Sequence, residues 1–418
     1  MRSEVSMIGL LSGIRVLECA VLPSGDQAGR LLGDLGAEVT KVEQPGAGDY
    51  IRELGGLLAP HNSPTHLLLN RNKRSLTLNL RTDEGREIFY RLLADTDVVI
   101  DGFAGDACDR LGIGYEDLRK AKPDIVYCQV SGYGRRGPYG QIPVHGYMMS
   151  AVAGVPHLEI QPDGIVQEVL TAGDRYFPGF VDGPMMGGTY GALTAIAALV
   201  YRATTGQGAY IDASGTDATI AAQAQDAVAM WNLVNTKNRD NLPPFVGSEA
   251  RERPKYGYYL TKDDKFVMLA AIEHKFWDNF CRVVDRPDLA EAKYLDSPVD
   301  FHTGGRKTLA DELVPIMRSK TQAEWMQVAI DHDIPISPSN SVLQTVTDPH
   351  LRAREIIYES VHPQAGPFVN VGWPAPVEGQ PFAIEREAPW LGQHTDEILG
   401  ELGMSAGEVA ALRQRGVV

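Results

Sequence analysis

The chain has 418 residues, of which 44% are hydrophobic and 22% charged, and its formal net charge is -15. This is the composition of a globular protein long enough for two to three domains with buried cores. Non-specific binding to nucleic acid or to an anionic membrane needs a basic surface, so the acidic balance argues against both.

Over the first 130 residues, short apolar strands alternate with helical patterns, which predicts an α/β domain with a parallel sheet. The first strand, Ile14–Glu18, is followed by a turn at Pro23–Gly25, a helix over Gln27–Leu35 and a second strand over Gly36–Glu43. The alternation continues through the strand Ser75–Leu80, the helix Asp83–Leu93, the strand Asp97–Ile100, a helix around Leu118 and the strand Ile125–Val130.

The second half of the chain has a different pattern. Residues Thr189–Val200 are small or apolar, which is typical of a helix buried on most sides. After a loop-like stretch at Pro243–Pro254, two strands joined by a turn are predicted at Tyr256–Leu260 and Phe266–Ala270. Helices are then predicted at Lys275–Val284, Lys307–Ser319 and Ala323–Asp331, with two short helices within Thr395–Val418. We expect a large domain at 1–225, a small domain at 226–335, and a segment at 336–418 that returns to the large domain.

The four cysteines are scattered without paired spacing, and we expect buried thiols in a reducing cytoplasm: Cys19, Cys108, Cys128 and Cys281. No His, Cys and Asp cluster has ligand spacing, so no metal is expected. Neither a signal peptide nor a run of about 18 apolar residues is evident, which predicts a cytoplasmic protein that does not bind membranes.

Asp182 stands directly before the apolar helix, in the stretch Gly179-Phe-Val-Asp182-Gly183-Pro-Met-Met-Gly187-Gly188. A carboxylate at a helix start is stabilised as the anion by the helix dipole and by unpaired N–H groups. Asp182 could therefore act as a nucleophile or a base, or it could serve only as the N-cap. The local residues leave both interpretations open.

A basic block, Asn70-Arg-Asn-Lys73-Arg74-Ser75, precedes a predicted strand. Such a block is either a solvated turn or a phosphate site, and the second suits a local basic cluster in an acidic protein. Arg110 and the turn Gly132-Tyr-Gly-Arg135-Arg136-Gly-Pro add basic groups at loop ends, where α/β proteins place ligand sites.

The ordered set of motifs along the chain resembles the class III CoA-transferases of the CaiB/BaiF type, the family of the carnitine and formyl-CoA transferases. The motifs are Gly13-Ile-Arg-Val-Leu-Glu18, Leu32-Gly-Asp-Leu-Gly-Ala-Glu-Val-Thr-Lys-Val-Glu43, Gly46-Ala-Gly-Asp49, Asn72-Lys-Arg-Ser75, Arg110-Leu-Gly112, Ser131-Gly-Tyr-Gly134, Thr205-Gly-Gln-Gly208, Asp348-Pro-His350 with Arg354, and Gly392-Gln-His-Thr-Asp-Glu397. Each motif is weak alone, but their order is specific.

This resemblance implies an α/β fold with a Rossmann-like parallel-sheet large domain and a smaller α+β domain, in an interlocked homodimer. It implies coenzyme A bound as an acyl-CoA substrate, an acceptor carboxylic acid, and catalysis by Asp182 through an aspartyl-CoA thioester. By carry-over from the family, the residues implied near CoA are Asn72, Lys73, Arg74, Phe103 and Arg110.

The same family contains α-methylacyl-CoA racemases, which move the proton next to the thioester. This alternative would use His145 with Asp182 on one side of the substrate and Glu273 on the other. Against it, Gly146 stands where racemases have an acidic residue, and the chain has transferase-like length. His145 could instead be a hydrogen-bonded structural histidine, and Glu273 a solvated residue entering a helix. An acyl-CoA-binding protein without activity is a third interpretation.

Overall fold

The computed structural model describes residues 9–103, 105–155, 158–168, 182–235, 253–292 and 306–418. The predicted residues Gly179–Val181 and the loop at 243–252 lie outside these ranges. The chain divides into two compact units. The first comprises Met1–Pro156, Phe177–Met230 and Arg352–Val418, and the second comprises His157–Tyr176 and Trp231–Leu351.

The elements follow one another in an α/β order through residue 231. They are β1 (Arg15–Ala20), α1 (Pro23–Asp34), β2 (Glu38–Glu43), a 3-10 turn (Tyr50–Glu53), α2 (Pro64–Leu69), β3 (Lys73–Thr77), α3 (Asp83–Leu93), β4 (Val98–Gly102), α4 (Ala107–Arg110), α5 (Tyr115–Ala121), β5 (Val126–Ser131), α6 (Gly146–Val152), β6 (Leu158–Ile160), β7 (Val166–Glu168), α7 (Gly183–Thr205), β8 (Ala209–Ser214), α8 (Gly215–Ala222) and α9 (Ala224–Trp231). A further 3-10 turn spans Leu233–Asn235.

The remaining elements are shorter strands and helices. They are β9 (Tyr256–Leu260), β10 (Phe266–Ala270), α10 (His274–Val283), a 3-10 turn (Pro287–Glu291), α11 (Leu309–Met317), α12 (Gln322–His332), β11 (Ile336–Ser339), α13 (Val342–Thr345), α14 (Pro349–Ala353), β12 (Ile357–His362), β13 (Gly366–Val371), α15 (Thr395–Glu401) and α16 (Ala406–Gln414). The α/β fold class, the predicted hairpin at β9 and β10, and the two C-terminal helices are confirmed.

The first unit is built on a six-stranded parallel sheet in the order β3-β2-β1-β4-β5-β8. Both faces of the sheet are buried, which explains the apolar runs of β4 and β5, whereas β2 and β3 carry charged residues as well. On β1, Leu17 packs under α3, α15 and α16, whereas Val16 packs on the opposite face under α1 and α7.

Helix α7 is longer than predicted and ends at Gly206, whose left-handed conformation (φ 72°) stops it. One side packs on the sheet through Ala192, Ala195 and Leu199. The other side is open, with Leu193 60% and Val200 63% exposed. The prediction that α7 is buried on most sides is therefore wrong for a single chain. Apolar composition predicts that a helix face is buried, but it does not say whether the same chain or another molecule buries it.

The second unit has the antiparallel sheet β11-β10-β9, with α10, α11 and α12 packed around stacked aromatic rings of Trp277, Phe280 and Trp325. The β6–β7 hairpin also belongs to this unit. Across the described ranges, no helix is long and apolar enough to span a membrane.

Candidate active site

A cleft of about 250 Å³ lies at the carboxyl edge of the six-stranded sheet. The chain continues from β1 to β2 and β3 on one side and crosses to β4 on the other, so the strand order reverses at β1. Open α/β sheets bind ligands at such a switch point. The cleft is lined by residues at or after the ends of four strands: Ala20, Val21, Val42, Glu43, Gln44, Gly48, Asp49, Leu78, Asn79, Leu80, Arg81, Phe103, Ala107 and Leu111.

Helix α7 packs against the start of α1, beside the residues that follow β1. Gly188 of α7 has no room for a side chain, because a Cβ there would overlap the carbonyl oxygen of Ser24. Gln27 of α1 donates a hydrogen bond to Thr189 of α7 at 3.2 Å. The turn between β1 and α1 therefore borders both the cleft and the first turns of α7.

Asp182 is the N-cap of α7, and its Oδ1 accepts a hydrogen bond from the backbone N–H of Met185 at 3.2 Å. The half-buried position raises the pKa of this carboxyl above its usual 3.8, and the Met185 hydrogen bond offsets burial only in part. The helix start favours the anion as expected, but burial outweighs it. Within the described residues, Oδ2 accepts no protein hydrogen bond.

The starts of α6, α7 and α8 converge around Asp182. A Cβ on Gly183 would lie 2.9 Å from Met149 Cβ of α6, and one on Gly187 would lie 2.9 Å from the Cα of Gly215 in α8. These distances are shorter than carbon atoms tolerate, so the helices approach this closely only because both positions are glycine. The glycines that follow Asp182 thus fix its place.

His145 precedes α6 and is exposed. The next residue, Gly146, packs against Pro184 of α7, which brings the backbone of His145 near that of Asp182. The imidazole does not cap α6. No hydrogen bond or ion pair among the described residues joins His145 to Asp182.

Glu273 lies in the second unit, where it is the N-cap residue of α10 and half-buried. Its backbone carbonyl accepts hydrogen bonds from Phe276 and Trp277, but its side chain does not cap the helix. A catalytic role for Glu273 stays a prediction.

Lys73 is fully buried rather than displayed to solvent. Its Nζ lies 2.7 Å from Glu18 Oε2 and donates to the carbonyl of Asp26 at 3.0 Å and to Asn70 Oδ1 at 3.1 Å. The Asp26 carbonyl and the Asn70 side chain thus accept two hydrogen bonds from the ammonium, and Glu18 balances its charge. Phosphate binding by Lys73 stays a prediction, and these partners weigh against it.

The neighbouring basic block fastens the C-terminal segment to the sheet. Asn72 Oδ1 accepts hydrogen bonds from the backbone of Glu385 and Arg386. Arg74 pairs with Glu397 and Glu401 of α15. A role for Asn72 or Arg74 at CoA also stays a prediction.

Arg74 lines a second, larger hollow of about 860 Å³ at the amino ends of the strands. This hollow mixes basic residues such as Arg15 and Arg386 with the acidic Glu38, Asp95, Glu385 and Glu401. With three arginines and four carboxylates in its lining, it has no excess of positive charge, and it lies at the edge opposite the one where α/β sheets bind ligands. The smaller cleft is therefore the better candidate.

Phe103 lines the cleft, and its backbone N–H donates to the buried carboxylate of Asp101 at 3.0 Å. Arg110, at the end of α4, is exposed and paired with Asp106 on the same helix. Two other residues of this segment, Ala107 and Leu111, line the cleft. Of the predicted CoA residues, Phe103 thus lines the cleft at the switch point, whereas Arg110 lies beside lining residues without lining the cleft itself.

Arg81 is a cleft residue that the sequence analysis missed. It follows β3 by four residues, lines the cleft and is exposed. Among the described residues its guanidinium has no carboxylate partner, in contrast to those of Arg74 and Arg110. Its place after the carboxyl end of a predicted strand was the one available signal.

In the ranges that the structure covers, no group of three or more His, Cys, Asp or Glu side chains is arranged to hold a metal. The four cysteines are buried free thiols.

A model of CoA-transferase family III matches residues 11–395, so the chain belongs to this family. It is accordingly a CoA-transferase, an enzyme that moves CoA between carboxylic acids.

Several relatives are similar over nearly their whole length. The beta subunit of succinyl-CoA–L-malate CoA-transferase from Chloroflexus aurantiacus is 30% identical, over 98% of this chain and 98% of that protein. Human succinyl-CoA:glutarate CoA-transferase is 30% identical, over 96% of this chain and 88% of that protein. Formyl-CoA:oxalate CoA-transferase of Rhodopseudomonas palustris is 28% identical, over 99% of this chain and 98% of that protein.

Solved structures share the fold. A hypothetical protein from Mycobacterium tuberculosis superposes with a TM-score of 0.74 at 25% identity, covering 95% of this chain and 100% of that one. A CaiB/BaiF family protein from Brucella suis gives a TM-score of 0.70 at 26% identity, covering 94% of this chain and 99% of that one.

Proposed function

We propose that Asp182 is the nucleophile of CoA transfer and carries CoA as an aspartyl thioester. The observation that supports this is a half-buried carboxylate at the start of α7, with one oxygen that accepts no hydrogen bond from the described residues. Helix α7 packs against the turn that borders the switch-point cleft. Burial weakens the solvation of the anion and raises the pKa of Asp182, and both effects favour attack on a carbonyl carbon.

In the proposed sequence, Asp182 Oδ2 attacks the thioester carbonyl of the donor, and CoA leaves as the thiolate, giving a mixed anhydride. The thiolate then attacks the aspartyl carbonyl, which releases the donor acid and forms aspartyl-CoA. The acceptor carboxylate attacks that thioester in turn, and the thiolate returns to the acceptor acyl carbon. Asp182 is regenerated as the carboxylate, and no water is consumed.

The cap hydrogen bond has a role in this sequence. When the aspartyl carbon is attacked, negative charge develops on the oxygen that does not bear the leaving group. Oδ1 already accepts the N–H of Met185, at the positive end of a 23-residue helix. The same contact that caps α7 would therefore stabilise the tetrahedral oxyanion, so the cap and nucleophile interpretations are compatible.

We propose that CoA occupies the switch-point cleft, with Phe103 and Arg110 on the side of its adenosine part and Arg81 near its phosphates. Arg81 carries this assignment because it is a cleft cation without a carboxylate partner among the described residues. Asn72, Lys73 and Arg74 are left out, because their polar groups are engaged within the fold. The relatives named for succinyl-CoA make a short dicarboxylic acyl-CoA the first donor to test.

We propose further that a second copy of the chain covers the open face of α7, where Tyr190, Leu193, Val200 and Tyr201 are exposed. Contiguous exposed apolar surface of this kind marks an interaction site. Sedimentation that gives only the monomer mass would contradict this. Buried thiols and an acyl-CoA substrate suit the reducing cytoplasm, where we place the enzyme.

The test is to incubate the protein with succinyl-CoA alone and to measure its intact mass, before and after hydroxylamine treatment. We expect an adduct with the mass of CoA less water, which hydroxylamine removes, and peptide mapping should locate it at Asp182. If no adduct forms and no acid accepts CoA, the proposal is wrong. Racemisation predicts instead exchange of the α-proton of a 2-methylacyl-CoA with deuterated water, without an acceptor and without an adduct.

A further inference from the structure

Leu22, in the turn between β1 and α1, has an unusual backbone conformation. Its φ of 67° and ψ of 177° fall in a region that is nearly reserved for glycine. The next residue, Pro23, makes this conformation less expected, because residues before proline favour negative φ. Holding such a residue costs about 1–3 kcal/mol, so the surrounding structure must impose the conformation.

Asp49 is the residue that holds it. The backbone N–H of Leu22 is 3.2 Å from both Asp49 oxygens, and that carboxylate also accepts the N–H of Ile51 at 2.9 Å. Asp49 is 1% exposed, and Lys41 Nζ donates to its Oδ2 at 2.7 Å. Lys41 also donates to Asp26, which lies in the first turn of α1. Lys41, Asp49 and Asp26 therefore contact the turn at two places. Asp49 binds the backbone of Leu22, just before α1, and Asp26 lies in the first turn of α1.

The strained turn borders both the cleft and helix α7, the helix that Asp182 begins. Ala20 and Val21, just before it, line the cleft. Ser24, just after it, lies against Gly188 of α7, the helix that Asp182 begins. A thioester that extends from the proposed CoA cleft along α7 toward Asp182 would therefore run beside this turn.

We infer that Asp49 is a positioning residue: it imposes the strained conformation on Leu22 and thereby fixes the wall along which the thioester reaches Asp182. This inference rests on the proposed role of Asp182. A displacement of about 1 Å at such a wall can cost up to about 100-fold in rate without a matching loss of binding.

The experiment measures the rate of CoA-adduct formation with succinyl-CoA in single turnover, together with kcat and KM, for Asp49→Asn. We expect adduct formation and kcat to fall about tenfold or more, while the KM for acyl-CoA changes less than about threefold. The matched control is Asp34→Asn, which breaks another buried ion pair, with Arg71, far from the turn. It should lose stability while its folded fraction keeps an adduct rate within about twofold of the wild type.

A double-mutant cycle with Leu22→Gly separates positioning from general damage. Glycine adopts this conformation without strain, so adding Asp49→Asn to Leu22→Gly should lower the rate less than about threefold further. This comparison also applies if Asp49→Asn alone does not fold. A full tenfold loss in the Gly background, or a wild-type rate in Asp49→Asn, overturns the inference while leaving Asp182 in place. Absence of any adduct in the wild-type protein would instead overturn the proposed function, and the inference with it.

Discussion

Two substitutions of Asp182 can separate its structural role as the N-cap of α7 from its chemical role as the nucleophile. Asparagine removes only the carboxylate charge, whereas alanine also removes the hydrogen-bond acceptor. The Oδ1 of Asp182 accepts the Met185 N–H, and asparagine keeps an acceptor oxygen at that place and is an equally good N-cap. Alanine removes the acceptor. Neither replacement supplies a carboxylate oxygen able to attack a thioester.

The expected losses of unfolding free energy and of kcat follow from these contacts. Asp182→Ala should lose about 1 kcal/mol of unfolding free energy, the usual value of an N-cap, and asparagine a few tenths at most. Burial disfavours the charged carboxylate, as the raised pKa of Asp182 indicates, so a neutral amide is well tolerated there. Loss of a covalent nucleophile should lower kcat by about 10⁴-fold or more in both variants.

Urea unfolding and intact-mass analysis with succinyl-CoA measure the two effects on the same samples. Ser405→Ala is the control, since it removes the N-cap of α16, away from the cleft, and should lose similar stability but no activity. An Asp182→Asn variant that still forms a hydroxylamine-sensitive adduct, or that keeps more than about 1% of kcat, would refute the assignment.

Three other outcomes are expected. Arg81→Gln should raise the KM for acyl-CoA about tenfold in steady-state kinetics, with kcat within about twofold and the melting temperature unchanged. The control Arg74→Gln should leave this KM unchanged. The reverse pattern would mean that the phosphates bind at the basic block. Lys73→Met should cost about 3–5 kcal/mol in urea unfolding, because the buried Glu18 loses its nearer cation, at 2.7 Å, and keeps Lys41 at 3.5 Å. A loss under about 1 kcal/mol would mean that Lys73 is not structural. Because burial raises the pKa of Asp182 above its usual 3.8 and only the anion attacks, the single-turnover rate of adduct formation should rise with pH through a midpoint that is shifted upward from 3.8, and then level. A midpoint at or below 3.8 would contradict burial as the cause.

The parts of the fold that could be predicted are those that depend on local patterns. The hairpin at Tyr256–Leu260 and Phe266–Ala270 was predicted with the bounds that the structure has, because β-rich runs flank a turn containing Asp263 and Asp264. The β12–β13 hairpin was missed. Its second strand begins with Gly366 and Pro367, residues that favour turns over strands in a single sequence.

The candidate site was predictable where one residue marks a helix start, as Asp182 does. It was not predictable where the partner is distant in sequence. Lys73 is as consistent with a phosphate site as with a buried ion pair until Glu18, 55 positions away, is placed beside it. The charge of a lysine is visible in the sequence, but its burial depends on how β1 and β3 flank β2, a tertiary property.

The position of the nucleophile itself depends on residues that carry no chemistry. Gly183 and Gly187 of α7 approach Met149 and Gly215 so closely that one added Cβ on either side would push α7 away from α6 or α8. Such a shift would carry Asp182 with it, because Asp182 is tied to the first turn of α7 through Met185. The rate of acyl transfer falls steeply when the nucleophile is misplaced, so these glycines matter for the rate because they fix the position of Asp182. A short side chain at Gly187 should therefore lower adduct formation even though it touches neither CoA nor the acid.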